Sequence, residues 1–139
     1  MLAVVRSENG QLAPLLRAAV AATAVINLVI GLAFLFGPEL SIPLWPTSIP
    51  PLLMRFIGAI VVGNGVGAAL VAQAGTWESA RALFAVALVY GLVVLIALLY
   101  HLLAGTAAPV FWGYVIVDAI FLVPIGAIFW NCEWARRSR

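Results

Sequence analysis

Four stretches of almost unbroken apolar sequence, residues 15–36, 52–73, 82–103 and 110–130, take up most of the chain, and the polar positions gather between them. Each stretch is about 20 residues long, which at ~1.5 Å per residue crosses a hydrocarbon layer of ~30 Å. Backbone amides in lipid have no water to bond, so such stretches must close their own hydrogen bonds as helices. The pattern predicts an all-α fold: an integral membrane four-helix bundle, up-down-up-down, forming a single domain over residues 1–139. Punctuation supports these limits. Pro14 suits a first helical turn, Gly37-Pro38 stops the first span, Pro51 precedes the second, Gly75 follows it, and Pro109 opens the fourth. Pro124 predicts a kink within that last span. Thr76, Glu78 and Ser79 offer capping chemistry for the third. The segment 37–51 carries Pro38, Pro43, Pro46, Pro50 and Pro51, which forbid a long regular helix. Its apolar Ile42, Leu44 and Trp45 predict a segment lying on the membrane surface or capping the bundle.

Composition sharpens the picture. Hydrophobic residues make up 65% of the 139 positions and charged residues 9%, against roughly 25% charged in an ordinary soluble domain. That excludes a soluble monomer. Arg6, Arg17, Arg81, Arg136, Arg137 and Arg139 fall at the N-terminus, in the second loop and at the C-terminus, while the first and third loops hold no Arg or Lys. The positive-inside rule then predicts a multi-pass cell-membrane protein with both termini cytoplasmic. Tryptophans mark the same boundaries, with Trp45 and Trp112 towards one side and Trp77, Trp130 and Trp134 towards the other. Arg6, Glu8 and Asn9 precede an apolar run longer than a signal-peptide core, so the first span is expected to be retained. The basic tail WARRSR suits anionic headgroups at about 1 kcal/mol per charge, and it is too short for a nucleic-acid platform. Cys132 is the single cysteine, which excludes an internal disulfide and a cysteine-cluster metal site. Its place at a span end makes palmitoylation chemically possible, and a small apolar packing role is the plainer reading.

Candidate chemistry centres on Asp118. By helical rise it lies roughly 13 Å inside the fourth span, where an ionised carboxylate costs at least ~2.5 kcal/mol. Such a group either takes a proton or meets a cation. Arg55, about one turn inside the second span from the same side, is the expected partner. By depth, Asn27, Tyr100, His101 and Tyr114 share that half of the membrane, so Arg55, Asp118, Asn27, Tyr114, Tyr100 and His101 form a candidate polar or ligand cluster. Asn64 points about 180° from Arg55 on a helix and is expected to hydrogen-bond between helices instead. Ala59, Gly63 and Gly67 recur every fourth residue with Gly58 beside them, predicting a helix-packing stripe or a groove for a lipid tail. His101 is the single histidine; a haem held with Met54 or a chlorin magnesium is conceivable, and an interfacial histidine without cofactor is simpler. The chain shows no nucleophile elbow, zinc motif or phosphate loop. The string GNGVG, residues 63–67, lacks the lysine and the strand such a loop needs.

The segments WPTSIPPLLMRFIGAIVVGNGVGAALVAQ and WESARALFAVALVYGLVVLIALLYHL place an arginine at the opening of a glycine-rich second span and a Trp-flanked turn after it. In these features, over about half its length, the chain resembles the uncharacterised small four-helix bacterial membrane proteins of the DoxX-like group. The resemblance implies an inner-membrane bundle; some members belong to thiol-oxidation or respiratory contexts. With one cysteine, this chain shares the architecture and lacks the thiol pair. Two functions are expected from the residues. The first is a non-enzymatic accessory or stabilising subunit of a larger membrane complex, associating with other membrane subunits or with itself. The second is a membrane protein that binds a lipid or quinone through the Arg55–Asp118 cluster.

Overall fold

The computed structural model describes residues 10–44 and 48–137. Arg6, Trp45, Pro46 and Arg139, and the side chains of Arg136 and Arg137, lie outside what it describes. The described chain is all-helical, with α1 Pro14–Phe36, α2 Pro38–Ser41, a 3-10 turn Ile42–Leu44, α3 Pro51–Ala74, α4 Trp77–Leu103 and α5 Phe111–Arg137. The four long helices α1, α3, α4 and α5 are each long and apolar enough to cross a membrane. Proline opens α1, α2 and α3, where its missing N–H costs nothing. Among the described residues the proline-rich segment after α1 forms only single turns, as its composition requires. Gly75 ends α3 in the left-handed conformation, φ 65°. Thr76 then caps α4: its hydroxyl accepts the Ser79 amide at 3.3 Å. α5 stays helical through Pro124.

Packing differs sharply between pairs of helices. α1 and α3 are fastened along their length by glycine. A Cβ built on Gly31 would stand 2.7 Å from the Val62 amide nitrogen, and one on Gly58 would stand 2.7 Å from that of Leu35. Gly65 meets Leu28 in the same way, at 2.9 Å. The backbones therefore approach as closely as two helices can, and dispersion between them replaces the hydrophobic drive that lipid does not supply. α4 and α5 touch through Gly91 against Leu122 and Gly126 against Leu88. α3 meets α4 mainly near their shared turn, where Gly67 lies against Leu83.

This corrects the expected stripe. Of Ala59, Gly63, Gly67 and Gly58, only Gly58 is buried; Ala59 and Gly63 are exposed, and Gly63 has open space beside it. The physical reason is angular. Residues four apart drift by about 40° per step on a 3.6-residue helix, whereas residues seven apart return to within about 20°. Gly58 and Gly65 are seven apart and both face α1, Gly58 against Gly31 and Leu35 and Gly65 against Leu28.

One end of the bundle holds most of the core. Leu12, Val20, Ala24, Ala68, Val71, Trp77, Ala80, Phe84 and Cys132 are buried together there, and Ile125, Ile128 and Phe129 of α5 pack on them. The lead into α1 adds backbone bonds: the Leu12 amide donates to the Gly75 carbonyl at 2.8 Å, and the Trp77 amide to that of Gly10 at 3.1 Å.

Candidate functional site

The residues expected to converge do not. Arg55, in the first turns of α3, pairs with Glu39 of α2 at 3.5 Å, with both side chains substantially exposed. The expected Arg55–Asp118 pair is therefore absent. A nearer carboxylate sits at the mouth of Arg55's own helix, and an arginine at a span end loses less solvation by turning outward than by reaching in. His101 closes α4: its Nδ1 lies 2.8 Å from the Thr106 hydroxyl, and Tyr100 packs edge-on against its ring. Tyr114 lies against Phe111 at the start of α5. Asn27 is half-buried on α1. Tyr100, His101 and Tyr114 are all exposed. These are local contacts at several helix ends, not one cavity.

Asp118 itself is held between α4 and α5. Its Oδ2 is shut away from solvent and has no hydrogen-bond partner among the described residues. Its Oδ1 lies 3.4 Å from where a Cβ on Gly91 would stand. Gly91 thus lets Leu122 pack close to α4 beside the carboxyl, a Cβ there standing 2.6 Å from Leu122 Cδ2.

Sequence reasoning missed the polar network at the opposite end. Trp77 was expected at the lipid–water boundary with Trp130 and Trp134. Those two are exposed, but Trp77 is 1% exposed and stands in the core between Phe84 and Phe129, with ring centroids at 5.5 and 6.1 Å. Its indole N–H donates to Glu133 Oε1 at 3.3 Å, and Arg81 reaches the same oxygen at 3.1 Å. The signal was present in sequence: Trp77 and Arg81 are four apart and share a face. The missing information was that Glu133, far along the chain, stands opposite them. Cys132, expected at a boundary, is buried beside this network, so its sulfur is covered by protein.

No protein family, characterised protein or solved structure matches this chain.

Two hollows remain. A cleft of about 610 Å³ opens beside α1, lined by Gln11, Leu12, Pro14, Arg17, Ala18 and other small residues. Arg17 does not face it as a free cation: Nε donates to the Ala72 carbonyl at 2.7 Å and a terminal nitrogen to that of Gln73 at 3.2 Å. It caps the last turn of α3, whose carbonyls lack helical partners. A second, apolar hollow of about 490 Å³ lies along α4 between Val86 and Tyr90. No group of three or more His, Cys, Asp or Glu side chains that could hold a metal occurs among the described residues.

Proposed function

We propose that the chain is a multi-pass cell-membrane protein with both termini cytoplasmic, acting as a non-enzymatic accessory or stabilising subunit of a larger membrane complex. The observation that carries this reading is the open face of α3. Asn64 is exposed in the middle of that helix, roughly 15–20 Å from either end by helical rise. A primary amide left in hydrocarbon costs free energy that a hydrogen bond from another helix returns. Gly63 beside it is exposed with nothing within 4 Å of a built Cβ, so a neighbouring backbone can come close. This chain turns Gly58 and Gly65 of α3 onto α1 and Gly67 towards α4, and leaves this face for a helix it does not itself supply.

The proposed topology is up-down-up-down. Contacts between helix starts and helix ends support it: Arg17 with Ala72, and Trp77 with Glu133. The arginine distribution supports the cytoplasmic placing of the termini. The resemblance to DoxX-like proteins belongs to the same proposal and implies the same architecture.

Gentle detergent extraction followed by sizing and mass spectrometry tests the reading. A defined membrane protein should accompany the wild-type chain, and the pair of changes Gly63→Leu and Asn64→Leu should release it while the chain keeps its helicity. Recovery of the wild type solely as a free monomer would overturn the proposal. For topology, reporters fused to the C-terminus should be active only when the reporter is one that works in the cytoplasm.

A further inference from the structure

The carboxyl of Asp118 has no use in the reading above. It lies deep in α5, one oxygen enclosed and without a donor among the described residues. The enclosure is built from both helices: Gly91 is buried, and a Cβ on it would strike Leu122 Cδ2 at 2.6 Å and stand 3.4 Å from Asp118 Oδ1. A larger residue at Gly91 would first displace Leu122, the neighbour that packs beside the carboxyl one turn along α5.

The surrounding charges are distant or engaged. On α4, Arg81 and His101 are each ten residues from Gly91, about 15 Å along the axis. Arg81 binds Glu133 and His101 meets Thr106. Tyr90 adjoins Gly91 in sequence and is 60% exposed. On α5, Tyr114 is one turn away, packed on Phe111, and Glu133 is some 22 Å off by helical rise. On α3, Arg55 is turned to Glu39. A carboxylate in this position would carry a full charge with neither cation nor donor at its enclosed oxygen, the state that hydrocarbon disfavours most. Adding a proton removes the charge and needs no rearrangement of the seam.

We propose that Asp118 is a proton-binding site within the membrane, a neutral carboxylic acid while α4 and α5 are closed on it. Release of the proton requires the half of α5 bearing Asp118 to leave Gly91. Pro124 lies between that half and the part of α5 anchored on the core through Ile125, Ile128 and Phe129. The proline leaves the Ile120 carbonyl without its helical donor, which makes this the natural point for α5 to bend. In that half Val117, Ile120 and Phe121 are exposed, and Asp118 and Leu122 lie against Gly91 of α4.

Infrared spectroscopy of the protein in phosphatidylcholine vesicles at neutral pH tests this directly. The spectrum should contain the carbonyl stretch of a protonated carboxylic acid, above the amide I envelope. Asp118→Asn should remove that band, and Glu39→Gln and Glu78→Gln should leave it. A folded wild-type protein lacking the band at neutral pH overturns the proposal. A second measurement uses the unaltered chain. Dicyclohexylcarbodiimide partitions into lipid and reacts with protonated carboxyls, so its adduct should be found on the peptide containing Asp118. Labelling confined to Glu39, Glu78 or Glu133 would equally overturn it.

Discussion

Single residues here are decided by how each polar group is satisfied. Trp77 is buried because its one polar atom has a designated acceptor in Glu133. Glu133→Gln keeps an acceptor for the indole and loses the charge that faces Arg81, whose side chain is 40% exposed. Such a pair is worth about 1 kcal/mol or less. Glu133→Leu removes the acceptor as well and should cost a further ~1–3 kcal/mol, because the indole N–H is left buried and unbonded. Thermal unfolding in detergent, followed by circular dichroism, should rank wild type, Gln variant and Leu variant in that order. Equal melting of the two variants would show that Glu133 acts only through charge. The Arg55–Glu39 pair is more exposed, at 45% and 67%, so Arg55→Gln should shift melting by less than ~1 kcal/mol. A large loss would mean Arg55 serves a buried acid after all.

At the scale of elements, the glycines sort helix faces into closed and open. Gly58→Ala places a methyl 2.7 Å from the Leu35 amide nitrogen and 2.8 Å from the Gly31 carbonyl, both backbone atoms that cannot turn aside. The α1–α3 seam must widen, and overpacking of this kind costs roughly 1–3 kcal/mol. Gly63→Ala meets nothing and should be neutral or stabilising by up to ~1 kcal/mol through helix propensity. Thermal melting of the two variants side by side checks the assignment. If Gly63→Ala proved the more damaging, the seam would have been placed on the wrong face. Thr76→Ala tests the turn between α3 and α4: losing the Ser79 contact should cost about 1 kcal/mol, seen as a lower melting temperature without loss of helix content.

The whole molecule is uneven in its packing. Residues from α1, α3, α4 and α5 meet in one core around Trp77 and Cys132, whereas the far halves of α4 and α5 contribute only Gly91 to the buried set. Cys132 is therefore a built-in reporter of that core. A maleimide should label it slowly in the folded protein and fully after denaturation in dodecyl sulfate. Trp77→Ala, which empties the space of the largest fully buried side chain, should bring native labelling close to the denatured rate. Fast labelling of the unaltered protein would mean the core at this end does not hold in solution. The proposed movement of α5 about Pro124 belongs to these loosely covered halves.

The apolar runs by themselves determined that four helices form and nearly where each begins and ends, because backbone bonding in hydrocarbon allows no other regular structure and because Pro14, Pro51 and Gly75 act locally. The Thr76 cap was equally readable, being set by residues three positions apart. What depended on tertiary structure was every pairing between distant positions. Gly58 and Gly65 were chosen over Gly63 by the α1 residues across from them, Gly31 and Leu35 for the first and Leu28 for the second. Trp77 went inward because Glu133 stands opposite. Arg55 took Glu39 and left Asp118 alone. A helical wheel gives the angle of a residue on its own axis, but burial and charge pairing depend on which other axis lies beside it, and that is a property of the assembled bundle alone.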